Sequence, residues 1–151
     1  MRIALVSPYD FPYPGGVTEH IKHLDRELRR LGHQVTIIAP STSAPDGLED
    51  NIIRISDDIF SVPWSGSVAR LTLSPQVYQR VKHVLAEGRF DIVHIHEPTV
   101  PLLPLAVLRH SRAVNIGTFH AYRETAHLGY EYGKGLLDPF LDRLEAKKYG
   151  A

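Results

Sequence analysis

Four short stretches of the sequence carry residues whose types and spacing could bind or transform a ligand. They are YPGGVTEHI (13–21), PWSGSVAR (63–70), HIHEP (94–98) and TFHAYR (118–123). The first contains Gly15 and Gly16 just before a helical pattern, and glycines let a backbone approach a ligand closely. The helix that follows would offer free N–H groups and a positive dipole end, which suit a phosphate. The alternative is a tight strand-to-helix turn with no ligand.

Known phosphate-loop motifs do not explain this Gly-Gly turn. No Gly-Lys-Ser/Thr follows the pair, which excludes a Walker A loop, and the nicotinamide fingerprint G-x-G-x-x-G is absent. A stand-alone redox domain that binds a nicotinamide cofactor is therefore disfavoured.

The histidines suggest either a metal site or the wall of a ligand site. On a strand, His94 and His96 point to the same face, but a zinc site needs at least one further ligand. Sequence alone cannot place the candidates, Glu97 and His120. We favour a pair packed under a helix or in a site wall, and we expect no metal. His120 closes a predicted strand, a position that favours a functional role over a structural one.

The stretch 63–70 gathers serines, a tryptophan and Arg70. Serine hydroxyls and the arginine fork suit a phosphate group. The alternative is a surface loop whose arginine side chain extends into solvent.

Alternating strand and helix patterns position these stretches. Apolar runs predict buried strands at 2–7, 34–40, 51–56, 91–98 and 113–120. Helical spacing covers 17–33 and 74–88, a proline-interrupted helix is expected at 100–110, and another begins at 134, whereas 61–74 reads as an irregular loop. The pattern predicts an α/β fold, a Rossmann-like doubly wound parallel sheet, which binds ligands at the carboxyl ends of its strands.

Composition narrows the function classes. The 151 residues suit one domain, and the zero net charge and pI near 7.1 give no indication of a nucleic-acid partner. Without cysteine there are no disulfides or thiolate ligands. We find neither an 18-residue apolar run nor a signal peptide, so the expected location is the cytoplasm.

Taken together, the motifs resemble one family. MRIALVSPYDFPYPGGVTEHI, GHQVTIIAP, VPWSGSVARL, FDIVHIHEP and GTFHAY resemble the N-terminal domain of retaining GT-B glycosyltransferases. Within that group the chain is most similar to phosphatidylinositol mannosyltransferases, and the GSVARL stretch carries that finer likeness. The resemblance extends over nearly all 151 residues.

The resemblance implies a two-domain enzyme with its site between the domains. Gly15 and Gly16 would lie against the diphosphate and sugar of a nucleotide-sugar donor such as GDP-mannose. His120 would contact the transferred sugar as the catalytic residue, orienting rather than acting as a base. The leaving diphosphate would accept the proton, the anomeric configuration would be retained, and no cofactor or metal would be needed.

The resemblance also assigns an acceptor side to residues 1–151. Tyr9 would contact the inositol ring. Arg70 and Ser67 would hold the acceptor phosphate, with Trp64 and Ser65 nearby. The acceptor would be an inositol phospholipid or another inositol-containing molecule.

Some positions depart from the family pattern. Thr18 replaces a glutamine after GGV, Thr99 replaces an asparagine after HIHEP, and Thr125 replaces a lysine, for which Arg123 could supply the charge. We keep Thr18, Thr99 and Arg123 as acceptor-binding positions. These changes concern the acceptor more than the reaction, so a different lipid or small-molecule acceptor remains an alternative.

The remaining expectations concern the membrane and the second domain. The segment YQRVKH is less basic than its counterparts, which predicts weak peripheral contact with the inner face of the cell membrane. The C-terminal donor-binding domain is expected to be absent from this chain. The other function left open is a non-catalytic module that binds an inositol phosphate or anionic lipid.

Overall fold

A six-stranded parallel sheet forms the centre of the computed structural model, which describes residues 1–64, 67–120 and 135–149. The strands in chain order are β1 Arg2–Val6, β2 Gln34–Ala39, β3 Ile52–Arg54, β4 Phe60–Trp64, β5 Ser67–Leu71, β6 Ile92–His96, β7 Val114–Phe119 and β8 Ala146–Tyr149. The helices are α1 Gly16–Arg30, α2 Gln76–Gly88 and α3 Leu103–His110, with a 3-10 turn at Pro45–Gly47. Residues 135–141 are also helical.

The strand order confirms the predicted doubly wound topology. The sheet runs β3-β2-β1-β6-β7-β8, so the chain builds outward from β1 in one direction and from β6 in the other. Every pairing within this sheet is parallel. The point where the order reverses, between β1 and β6, is where such sheets hold ligands.

Helix α1 covers one face of the sheet because its apolar residues recur at helical spacing. Its Ile21 is fully buried against Leu5 and Ile37 of the strands below. Burial of a side chain of this size contributes about 1.5–3 kcal/mol. Gly32 ends the helix with φ 85°, a left-handed conformation that glycine adopts without strain. The loop that follows β1 places the start of α1 at the carboxyl edge of that strand.

A second apolar core lies on the opposite face of the sheet. Helices α2 and α3 and the helical residues 135–141 pack there, with Val77, Val107 and Leu141 buried against Val6 and Ile95. No helix in the described part of the chain has the length and apolar character needed to span a membrane.

Two sequence predictions about secondary structure are wrong. Residues 61–74, predicted as an irregular loop, contain the antiparallel hairpin β4–β5. Its inward side chains Val62, Ala69 and Leu71 pack on Val100 and Tyr9 at the carboxyl edge of the main sheet. Proline and serine in the hairpin obscure its alternation, and only this packing gives it a buried face.

The helix predicted from residue 134 to the end of the chain is also partly wrong. Residues 146–149 form the edge strand β8, which pairs with β7. The segment AKKY has no buried run of its own, so pairing with β7, and not local propensity, makes it a strand.

Candidate functional site

An open cleft of about 610 Å³ lies at the carboxyl edge of the sheet, beside the switch point between β1 and β6. Its walls come from the loop after β1, the start of α1, the hairpin strand β5, and the residues that follow β6 and β7. This volume is within the range of small-molecule sites. The cleft therefore lies at the edge of the sheet where the sequence predicts a ligand site.

The start of α1 faces this cleft without a side-chain cap. Gly15 occupies the N-cap position, and no side chain of the described residues caps the helix. Its first N–H groups are therefore unpaired within the helix, and the dipole end is positive. Gly15, Gly16 and Thr18 all line the cleft. This arrangement is suited to binding an anionic group.

Neither glycine of the pair is required by the described chain itself. A Cβ atom added at Gly15 or Gly16 would meet no described atom within 4 Å. Gly15 is extended, with φ 176° and ψ 157°, a conformation open to any residue. Packing of the described residues therefore does not explain the glycine pair, and the pair leaves open space at the start of α1.

The loop between β1 and α1 is held from both sides. The Phe11 side chain is 1% exposed, and its N–H donates to the Pro40 carbonyl at 2.9 Å. The Asp10 N–H donates to the Arg70 carbonyl at 2.8 Å, and Tyr9 forms a backbone bridge with Leu71. The glycine turn and the hairpin are therefore connected into one wall.

Arg70 forms an ion pair with Asp10 beneath this wall. The Arg70 Nη2 and Nε donate to Asp10 Oδ2 at 2.8 and 2.9 Å. Asp10 Oδ1 accepts from the Thr42 backbone N–H at 2.8 Å. The Asp10 side chain is 1% exposed and that of Arg70 28%. The guanidinium also lies 4.5 Å from the ring centre of Tyr13. Arg70 is thus fixed in orientation and still reaches the cleft.

Four histidines form a cluster where β6, β7 and α1 meet. His94 and His96 share a face, as predicted, and their rings stack with centroids 4.5 Å apart. His96 Nδ1 and His120 Nε2 lie at hydrogen-bond distance, 2.8 Å. The His20 ring of α1 lies edge-on to those of His96 and His120, at 5.5 and 5.0 Å.

The cluster is electrically neutral at neutral pH because burial and mutual proximity disfavour protonation. Burial, with His94 and other nearby imidazoles, lowers the pKa of His96 to about 2. Burial first, and then His20 and Lys148, lowers the pKa of His120 to about 4. Neutral imidazoles can accept a hydrogen bond, donate one or bind a metal.

Glu97 closes the floor of the cleft in an unusual backbone conformation. Its φ is 50°, a left-handed conformation that is uncommon outside glycine and tends to occur at functional sites. Its carboxylate accepts a hydrogen bond from the His120 N–H. Burial, together with the Glu97 charge, raises the pKa of Tyr9 to about 12, so this phenol keeps its proton.

The structure brings most of the predicted site residues together. Gly15, Gly16, Thr18, Tyr9, Ser67, Arg70 and His120 all line the cleft. Thr99 lies beyond Glu97 and is partly buried, but it is not one of the lining residues. The backbone of Trp64 pairs with Ser67 in the hairpin. Ser65, Arg123 and Thr125 lie outside the described residues.

Sequence analysis missed three residues of the site. Asp10 has no motif around it, although it lies in the loop that follows the first strand. His20 lies one turn into α1 and is recognisable only once the histidines of β6 are placed. Lys148 stands in register with Thr118, which itself pairs with His96. Nothing local in the sequence places this lysine next to the cluster.

Comparisons with known proteins show which family this chain resembles. The model of glycosyltransferase family 4 matches residues 14–150. The chain is 38% identical over 144 residues to a phosphatidyl-myo-inositol mannosyltransferase of Mycolicibacterium smegmatis, covering 95% of this chain and 36% of that protein. Identity to the Mycobacterium leprae protein of the same name is 36%, covering 95% and 38%. The chain thus spans little more than a third of the length of these relatives.

A solved structure with lower similarity was also found. It is the catalytic domain of starch synthase IV from Arabidopsis thaliana, bound to ADP and acarbose, with a TM-score of 0.40 and 18% identity. The match covers 78% of this chain and 33% of that one.

Proposed function

This chain belongs to glycosyltransferase family 4, and we propose that it is the acceptor-binding half of a retaining glycosyltransferase. The reaction would transfer a sugar, mannose from GDP-mannose, to an inositol phospholipid. One observation carries the proposal: a single cleft joins the uncapped, glycine-lined start of α1 to Arg70 and His120. The names of the relatives supply the substrate class.

The donor would meet this half at Gly15 and Gly16. Its diphosphate would accept hydrogen bonds from the first N–H groups of α1 and would gain from the helix dipole. A side chain at either glycine would occupy the space that a ligand needs. The nucleotide itself would be held by a second domain that closes over the cleft, which fits the greater length of the relatives.

The acceptor would lie along the hairpin side of the cleft. Arg70 is fixed by Asp10, and its remaining N–H groups could hold a phosphate oxygen without loss of side-chain freedom on binding. Ser67 lines the same wall, and the protonated Tyr9 can form hydrogen bonds with an inositol hydroxyl. Thr18 is short and 3% exposed, so it offers a ligand less contact than a longer side chain would, and a different lipid or a small-molecule acceptor is the second candidate.

Apolar side chains around the hairpin support peripheral contact with a membrane. Phe60, Val68 and Leu73 are 51%, 63% and 47% exposed, close to the wall assigned to the acceptor. Apolar groups beside a lipid headgroup site would enter the interface while the inositol reaches the cleft. We propose that the protein acts at the cytoplasmic face of the membrane, where a nucleotide sugar would be available.

His120 would orient the transferred sugar. A pKa near 4 makes its imidazole a poor base for an acceptor hydroxyl at neutral pH. A neutral imidazole can still donate or accept a hydrogen bond with the sugar or the reacting oxygens. The proton of the acceptor hydroxyl would then pass to the leaving diphosphate, and no metal would be required. His120→Ala should lower turnover and leave the chain folded, and unchanged turnover would remove the role.

The test of the acceptor assignment is a calorimetric titration of this chain. Inositol phosphate and phosphatidylinositol in detergent should bind, whereas GDP-mannose should give little heat. Arg70→Ala should weaken the inositol ligands about 10-fold or more, since a hydrogen bond to a charged group is worth about 1.5–3 kcal/mol. The control is Arg30→Ala, an exposed arginine at the far end of α1, which should change nothing. Equal losses of affinity in Arg70→Ala and Arg30→Ala would contradict the assignment. So would the absence of any binding of inositol ligands.

A separate test addresses the donor contact in an enzyme completed with a donor-binding domain. Gly15→Ala should leave the melting temperature unchanged, because the added Cβ meets no described atom. It should nevertheless reduce transfer, because the methyl group would lie where the diphosphate is expected. Full transfer by the variant would show that no ligand approaches this turn closely.

A further inference from the structure

One ring nitrogen from each of three histidines converges at the edge of the cleft. These nitrogens of His20, His96 and His120 all lie within 4.8 Å of one another. His96 and His120 come from neighbouring parallel strands, and His20 reaches them from α1. Three separate elements therefore place a donor atom at the same point.

The spacing suits a tetrahedral ion. A zinc ion binds histidine nitrogen at about 2.0–2.1 Å, so two nitrogens in a tetrahedral shell lie roughly 3.4 Å apart. His96 Nδ1 and His120 Nε2 are 2.8 Å apart, at hydrogen-bond distance, so these two rings would move apart by roughly 0.6 Å to share an ion. Small rotations of the ring of His20, which is partly exposed, would bring in the third nitrogen.

The surroundings of the three rings supply the support that metal-binding histidines need. His96 is fully buried, and its Nε2 has no hydrogen-bond partner among the described residues. The other ring nitrogen of His96, Nδ1, is the one that faces His120 Nε2, so Nδ1 is the atom that would bind an ion. His94, stacked on His96, is itself held by Thr118 through a 2.8 Å hydrogen bond.

Of the charged groups near the cluster, one favours a bound cation and one disfavours it. The carboxylate of Glu97, which is 6% exposed, contacts the backbone of His120 and favours a cation. Lys148 lies on the other side, on the edge strand β8, and disfavours one. Lys148 is exposed and its long side chain can turn to solvent, whereas Glu97 is fixed. The balance permits a bound ion.

We propose that His20, His96 and His120 form a binding site for a first-row transition-metal ion, with Zn²⁺ as the best match to three imidazole ligands. His20 and His120 line the open cleft, so an ion can enter, and a fourth position is left for water or a ligand. This site is not required for sugar transfer as proposed above. An ion bound there would hold His120 to β6 and α1.

The test compares two histidines on the same helix. His20→Gln removes one ligand, and His23→Gln removes an exposed histidine three residues further along α1. Zn²⁺ is titrated into each chain by calorimetry, and Co²⁺ is added in parallel to follow the visible absorption bands of tetrahedral cobalt. Thermal melts confirm that each variant is folded.

The unmodified chain and His23→Gln should each bind one Zn²⁺ with equal affinity. With Co²⁺, both should show the absorption bands of tetrahedral cobalt. His20→Gln should lose the cobalt bands. It should also bind Zn²⁺ more than about 100-fold more weakly, because loss of an outer-shell partner alone costs about 10–100-fold in affinity. His120→Gln should behave like His20→Gln. If His20→Gln binds as tightly as His23→Gln, the metal is on surface histidines and the proposal is overturned. The absence of any binding by the unmodified chain overturns it as well, and neither result bears on the transferase proposal.

Discussion

The ion pair between Asp10 and Arg70 gives the sharpest prediction about stability. The Asp10 carboxylate is 1% exposed, and Arg70 is its only cationic partner among the described residues. Arg70→Ala would leave this charge buried with only the hydrogen bonds from Thr42. The backbone contacts between the hairpin and the loop before α1 would remain, so the loss isolates the side-chain pair.

The magnitude follows from the degree of burial. Breaking a fully buried ion pair costs about 3–5 kcal/mol, whereas an exposed pair is worth about 0–1 kcal/mol. Arg70 is 28% exposed while Asp10 is buried, so we place the loss between these limits, at about 2 kcal/mol. For a chain of this length that corresponds to a fall in melting temperature of about 4–8 °C.

A double-mutant cycle measures the coupling. Urea and thermal unfolding are compared for the unmodified chain, Arg70→Ala, Asp10→Asn and the double variant. The double variant should be more stable than the sum of the single losses predicts, by about 1–2 kcal/mol, because neither change then leaves a charge unpaired. Arg30→Ala, which breaks an exposed pair with Glu27, should cost less than about 0.5 kcal/mol. Additive losses at Asp10 and Arg70 would refute the reasoning.

Three further predictions concern the core, pH and metal removal. Gly117→Ala should cost about 1–3 kcal/mol, because a Cβ there would lie 2.9 Å from both Leu144 Cδ1 and Pro98 Cγ; a variant as stable as the parent in urea would show that this contact relaxes freely. Burial and nearby imidazoles lower the pKa of His94 from 6.5 to about 4. The unfolded chain then binds more protons between these values, so the free energy of unfolding should fall as the pH drops from about 6.5 to 4 in metal-free buffer. His94→Gln should reduce that slope without removing it, because His96 and His120 also have lowered pKa values, and an unchanged slope would exclude a contribution from His94. Sugar transfer by the completed enzyme should survive a chelator, and activity lost with the chelator and restored by zinc would contradict the metal-free mechanism.

The sequence by itself predicted five of the six strands of the main sheet and the edge at which the cleft opens. Segments such as 2–7 and 34–40 are mostly apolar, so strands buried on both faces follow from hydrophobicity. The Gly15–Gly16 turn and the residues of HIHEP and TFH stand at strand ends, and parallel strands bring those ends to one edge. These signals are local, so the sequence alone predicts the strands and the turn.

Only the tertiary structure decided which side chains meet. Asp10 and Arg70 are 60 residues apart in sequence, and their pairing depends on how the hairpin packs over the edge of the sheet. The same holds for His20 beside His96 and for Lys148 on β8, whose strand exists because β7 offers it a partner. Local sequence encodes propensity and periodicity, whereas contacts between distant residues depend on packing of the whole chain. The glycine turn was therefore predictable, and the ion pair and histidine cluster around it were not.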